Sequence, residues 1–177
     1  MKVGARGWLS GVCRIPSPNC DSRPPGTAIE LLVMHNISLP PGEFSGDAIT
    51  HLFTNTLNTA AHPYYAQLQG VRVSAHFLIR RDGAIIQFVP CSKRAWHAGV
   101  SSWQGRSACN DFSLGIEVEG SDFVPFTERQ YVALVRLTRL LRRSYPLRAV
   151  VGHSDIAPGR KTDPGPYFDW KRYLAAR

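Results

Sequence analysis

No stretch of this 177-residue chain approaches the ~20 consecutive apolar residues that a membrane-crossing helix requires. Its first ten residues interleave Lys2, Gly4, Arg6 and Gly7 with a few apolar side chains, so the unbroken apolar core of a secretory signal is missing. A cytoplasmic protein with no membrane partner is therefore expected. The four cysteines, Cys13, Cys20, Cys91 and Cys109, show no CxxC spacing. Two disulfides are arithmetically possible, but a domain of this size does not need them, and nothing points to an oxidising compartment. Free thiols are expected, and the spacing argues against a cysteine zinc site. GxGxxG, GxxxxGK[ST] and HExxH are also absent, which removes the local signatures of dinucleotide, nucleotide and helical zinc-protease sites. Neither a repeat nor a low-complexity run is present.

What is there is a globular composition: 44% apolar and 19% charged residues, enough chain for one domain with a full core. Lys and Arg outnumber Asp and Glu by 21 to 13, a formal net charge of +8. Such an excess suits either a nucleic acid or an acidic small substrate. The basic residues are dispersed, however. Their densest group, Arg136, Arg139, Arg142 and Arg143, falls on one predicted helix and reads as a solvated face. Aromatics are not interleaved with it as in single-strand binders, so no nucleic-acid partner is expected.

Residues 11–27, rich in Pro, Ser and Gly, read as an extended lead-in. The apolar run Ile29–Met34 predicts a buried strand ending at His35-Asn36. Ser45 or Asp47 is placed to cap a short helix through Phe53. From Val71 to Arg80 the pattern alternates, with Val73, Ala75, Phe77 and Ile79 on one side and Arg72, Ser74, His76 and Arg80 on the other. Asp82-Gly83 then predicts a hairpin turn, because tight turns need positive φ, and 84–89 is the returning strand. Leu114, Ile116 and Val118 predict a half-buried strand. Thr127 and Gln130 have capping-box spacing before a helix carrying Val132, Val135, Leu137, Leu140 and Leu141, which stops ahead of Pro146. Residues 149–152 form a last strand delivering His153, and 168–176 a terminal helix. Strands, a hairpin and flanking helices together predict an α/β fold, a mixed sheet covered by helices. The expectation is one domain over 1–177, with residues 1–27 packed on it.

His35 and His153 each sit at the end of a predicted strand, and Asp163 follows ten residues after His153. Zinc is well served by two imidazoles and a carboxylate with a fourth position open. Three hydrogen-bonded polar residues near a surface fit the same pattern, and the spacing does not choose between the two. Glu117 points away from its apolar neighbours, beside the small Gly115, and is either a salt-bridge partner or a catalytic carboxylate. Glu119, nearer the turn, reads as structural. Lys161 lies on a proline-stiffened loop, as a solvated cation or as a stabiliser of negative charge. His51, His62, His76 and His97 are weaker candidates, the last two being able to line a cleft.

Several longer runs bear on these alternatives. They are Val-Met-His-Asn-Ile-Ser-Leu-Pro-Pro-Gly-Glu-Phe (33–44), Ala-His-Pro-Tyr-Tyr (61–65) and Val-Ser-Ala-His-Phe-Leu-Ile-Arg-Arg-Asp-Gly (73–83). With them go Arg-Ala-Trp-His-Ala-Gly-Val-Ser (94–101), Cys-Asn-Asp-Phe-Ser-Leu-Gly-Ile-Glu-Val-Glu-Gly (109–120) and Arg-Lys-Thr-Asp-Pro-Gly-Pro (160–166). Together they resemble the AmpD-type amidases, cytosolic 1,6-anhydro-N-acetylmuramyl-L-alanine amidases of peptidoglycan recycling, over nearly the whole chain. The resemblance implies the type-2 amidase fold shared with peptidoglycan recognition proteins. It implies one zinc ion on His35, His153 and Asp163, and Glu117 and Lys161 as the catalytic pair. It also implies contacts from Asn36, Arg72, Trp96 and Arg106 to a small anhydro-muropeptide, in a protein expected to be monomeric. Two rivals follow from it: a non-catalytic binder of wall fragments, which loses metal ligands that are intact here, and a periplasmic amidase, which needs an export signal.

Overall fold

The computed structural model describes residues 1–44 and 46–176. In chain order they form β1 (Cys13–Arg14), β2 (Cys20–Ser22), β3 (Leu31–Ile37) and helix α1 (Ala48–Phe53). Next come β4 (Phe77–Ile79), β5 (Ile85–Gln87), β6 (Lys93–Ala95), β7 (Ser102–Trp103), β8 (Arg106–Ser107) and β9 (Ser113–Glu119). Helix α2 (Glu128–Ser144), β10 (Ala149–Gly152), α3 (His153–Ile156) and α4 (Trp170–Ala176) complete the chain. The main sheet has the order β1-β5-β4-β9-β3-β10 and is mixed: only β4–β5 pair antiparallel within it.

Parallel strands covered on both sides read as continuous apolar runs, and all seven residues of β9 and the first five of β3 are buried. The half-buried strand expected around Leu114 is thus buried on both faces. Leu32, Met34, Leu114, Ile116 and Val118 pack with Leu134, Leu137 and Leu141 of α2. Leu31 and Val33, of opposite parity, pack with Phe112, Cys109 and Ile156 on the other side.

The hairpin at Gly83 forms with φ +84°, but the alternation before it does not make one long strand. The Ser74 amide donates to the Trp96 carbonyl and the His76 amide to that of Gly115, so only Phe77–Ile79 enters the β5 ladder. Phe77 and Ile79 face α2, whereas Val73 and Ala75 pack around Phe53 and Phe88. Ser74 and His76 are buried rather than solvated. Strand β3 also runs one residue beyond the expected end at His35-Asn36, to Ile37.

Helix α2 opens with the Thr127–Gln130 capping box and ends at Ser144 before Pro146. Val132 is 67% exposed, because it lies off the stripe of Tyr131, Leu134, Leu137 and Leu141 that meets the sheet. Arg136, Arg139, Arg142 and Arg143 are all exposed. Asp47 precedes α1 without a side-chain cap bond and faces Arg80 instead; Ser45, the other expected cap, lies outside the described residues. Helix α4 starts at Trp170, later than expected, because Phe168 is consumed in an aromatic cluster with Phe126, Tyr131 and Tyr173.

The lead-in is fastened by Arg23. Its guanidinium donates to the carbonyls of Cys91, Asn110, Asp111 and Ser113, and burial lowers its pKa to about 10. All four cysteines are free. Among the described residues, no helix is long and apolar enough to cross a membrane.

Candidate active site

The strand parity that sends Leu32 and Met34 toward α2 sends His35 to the opposite face, and the same rule sends Ser113, Gly115 and Glu117 of β9 there. Parallel register sets His35 directly beside Glu117. At the C-terminal end of the neighbouring strand β10, His153 begins α3, and the Ser154 amide donates to the Asp163 carbonyl, folding the 157–166 loop back over the sheet. Residues 35, 153 and 163 thereby meet.

Their geometry is tight. Nδ1 of His35 lies 3.0 Å from Nδ1 of His153 and 2.9 Å from Oδ2 of Asp163, which is 3.0 Å from Nδ1 of His153. Two ligands of a tetrahedral zinc, each ~2.0–2.1 Å from the ion, lie roughly 3.3 Å apart, so the three atoms are spaced as corners of such a site. Hydrogen-bond chemistry gives an independent test. Nε2 of His153 is 3.0 Å from the Ala98 carbonyl, which only accepts, so Nε2 carries the hydrogen. In the neutral ring Nδ1 then presents a lone pair toward Asp163 and His35. Lone pairs converging on a carboxylate are repulsive unless a cation lies among them, so the residues fit a metal. His35 suits the role, since burial lowers its pKa and keeps the imidazole neutral.

Glu117 is 8% exposed, and its Oε2 has no hydrogen-bond partner. Burial first, then the charge of Asp163, raises its carboxyl well above the usual carboxylate range, with Lys161 opposing. A buried carboxylate oxygen without a partner is costly for stability alone, and this one lies beside the three converging side chains. Glu119, in contrast, accepts from the Arg81 amide and meets Arg80, as its structural reading requires.

A cleft of about 610 Å³ opens over these groups. Glu117, Lys161, Asn36 and Trp96 line it together with His35, His153 and Asp163. Asn36 donates to Asp122 at 2.6 Å, tying the strand end to the loop that carries Phe123. Phe123, 84% exposed, stands at the rim. Arg72 lies in an adjoining hollow that shares Trp96, His153 and Lys161 with the cleft. Arg106 is not brought to the site. It pairs with Glu30 at 2.9 Å and stacks over Phe112, because the β7–β8 hairpin carries it to the β3 entry side.

His76 and His97 are both weak candidates by sequence, and the structure separates them. His76 is a satisfied core group: its Nδ1 accepts from the Gly115 amide and its Nε2 donates to the Lys93 carbonyl. His97 lines the cleft and touches His35, its Nδ1 lying 2.9 Å from Nε2 of His35. Arg160 was missed altogether; it donates to the carbonyls of Ala98 and Val100, pinning one wall. The available signal for His97 was Gly115, a residue without a side chain on a face otherwise carrying polar ones.

This site and fold define a known class. Residues 25–166 match the family described as N-acetylmuramoyl-L-alanine amidase, and the chain belongs to that family. More particularly, it is 58% identical over 170 residues to the 1,6-anhydro-N-acetylmuramyl-L-alanine amidase AmpD of Escherichia coli K12, covering 95% of this chain and 93% of that one. The AmpD of Haemophilus influenzae is 51% identical over 174 residues, with 97% and 95% covered. A crystal structure of a Se-Met AmpD derivative superposes with a TM-score of 0.96 at 56% identity, covering 99% of each chain. The amidase AmiD from E. coli, in complex with anhydro-N-acetylmuramic acid-L-Ala-D-gamma-Glu-L-Lys, superposes at 0.64 with 30% identity, over 87% of this chain and 60% of that one.

Proposed function

We propose that this protein hydrolyses the lactyl-amide bond between 1,6-anhydro-N-acetylmuramic acid and L-alanine in peptidoglycan turnover fragments, using one zinc ion held by His35, His153 and Asp163. The observation that carries this reading is the convergence of those three side chains at 2.9–3.0 Å beside the unpartnered Oε2 of Glu117. When bound, zinc supplies Lewis acidity and lowers the pKa of water toward ~7.

The remaining work falls to the protein. Glu117, on the cleft lining and with one oxygen unpartnered, takes the proton of the attacking water and returns it to the departing amine of L-alanine. Its raised pKa suits a group that must hold a proton between those two events. Lys161, exposed on the cleft lining, places positive charge where the carbonyl oxygen becomes an oxyanion. Trp96 offers a flat face for the sugar, and Asn36 polar contacts. Arg72, in the adjoining hollow, is positioned for a carboxylate of the stem peptide.

Every residue in this scheme comes from one chain, so a monomer suffices. The four free thiols agree with the reducing cytoplasm we assign as its compartment. The names of the full-length relatives support the choice of substrate. The test is to incubate the zinc-loaded protein with anhydro-muropeptide, with and without a chelator, and weigh the products. Release of free peptide only without chelator is expected; no release from the loaded protein would end the proposal.

A further inference from the structure

Both imidazoles must present Nδ1 to the ion, yet a neutral imidazole has two tautomers, and only one leaves Nδ1 bare. For His153 the Ala98 carbonyl, 3.0 Å from Nε2, selects the right one. For His35 the group at Nε2 is His97 Nδ1, at 2.9 Å, and His97 Nε2 in turn lies 3.1 Å from the Ser113 hydroxyl oxygen. The two selecting groups belong to consecutive residues. Asn110 fixes that pair: its side-chain oxygen accepts from the His97 amide at 3.1 Å and from the Ala98 amide at 2.8 Å. The ring of His97 is further seated over Gly115, where any side chain would collide with it.

From these contacts we infer that His97 and Ala98, held by Asn110, are one positioning device that sets the tautomer and aim of both zinc imidazoles. The inference rests on the zinc reading above. With the ion bound, His35 Nε2–H donates to His97 Nδ1, and His97 Nε2–H donates to Ser113 Oγ. The relay is buried, His35 being 1% exposed, His97 9% and Ser113 fully enclosed, which strengthens each hydrogen bond in it. His97 touches neither the ion nor the substrate in this scheme. It acts through His35.

The test uses the full chain. Zinc affinity is measured by competition with a chromophoric chelator for the wild type, His97→Leu and His97→Gln. Leucine removes the acceptor and is expected to weaken zinc about 10–100-fold, as for other outer partners of ligating histidines. Glutamine restores a carbonyl acceptor and should recover most of the loss. Asn110→Ala should also weaken zinc, whereas Asn110→Asp, which keeps an acceptor oxygen, should not. Ring-nitrogen chemical shifts of the zinc-loaded wild type should show His97 protonated on Nε2.

Wild-type affinity in His97→Leu would overturn the inference. So would His97 carrying its hydrogen on Nδ1, since two N–H groups would then face each other; this second measurement decides the matter even if the leucine variant does not fold. A wild-type protein that binds no zinc would overturn the metal reading itself, a result distinct from either.

Discussion

The imidazole of His97 occupies the space that a side chain on Gly115 would need: a Cβ there would lie 2.5 Å from Cγ of the ring. Gly115→Ala must therefore push the ring off β9, although the glycine is not in the left-handed region and its backbone tolerates alanine. The expected cost is about 1–3 kcal/mol, the range for overpacking a filled core, read as a lower midpoint in urea unfolding. Zinc affinity should fall with it, because His97 buttresses His35. Unchanged stability would mean that the ring has somewhere else to go.

Glu117→Gln keeps the shape of the side chain and removes its proton chemistry. The variant is expected to hold one equivalent of zinc and to lose about 10²–10⁴-fold in kcat, the usual contribution of a general acid–base. Metal content by elemental analysis together with steady-state kinetics checks it. Near-normal turnover would remove Glu117 from its assigned role.

Removing the metal should cost stability as well as activity. The three ligand atoms lie about 3 Å from one another in the folded chain, and an ion that binds only the folded state stabilises it by ~2.7 kcal/mol at one hundred times its Kd. A thermal melt in chelator is expected to fall below that of the zinc-loaded protein and to recover on adding zinc. Superimposable melts would argue that the three side chains hold no ion.

Trp96 is half-buried on the cleft lining, its amide donating to the Ser74 hydroxyl. Trp96→Ala should raise KM for anhydro-muropeptide roughly ten-fold while changing kcat less, since a flat apolar contact made equally in ground and transition states is uniform binding. A loss confined to kcat would place the ring nearer the chemistry than the cleft geometry does.

Thr127 does not line the cleft and caps α2. Its hydroxyl oxygen accepts from the Gln130 amide, and its hydroxyl donates to the Arg81 carbonyl. Thr127→Ala should cost about 1 kcal/mol of stability and leave kcat/KM intact. A large kinetic effect would show that α2 transmits strain to β9.

Much of this molecule was legible from local pattern. The Thr127–Gln130 box, the turn at Gly83 and the last strand at 149–152 obey rules that act over a few residues, and the structure reproduces them. Alternation along 114–118 was also enough to put Glu117 on the face opposite its apolar neighbours, which is the face away from α2. Where two long-range demands met, local pattern failed. The 71–80 segment alternates like one strand, yet the Ser74 and His76 amides leave the ladder for Trp96 and Gly115, and the side chains of these two residues are buried. Phe168 has helical company in sequence but is taken by aromatic packing. Arg106, grouped with the substrate contacts by resemblance, was carried away from the cleft by a short hairpin.

The amino-acid sequence by itself determined which residues could do chemistry, and strand parity determined on which face each would lie, because side-chain direction along a strand is a property of neighbouring residues. It could not determine that His35, His153 and Asp163 share one point, nor that His97 stands behind the first and the Ala98 carbonyl behind the second. Those relations span up to 128 positions of chain. They exist only once sheet order, parallel register and the returning loop have fixed distances that no local rule contains.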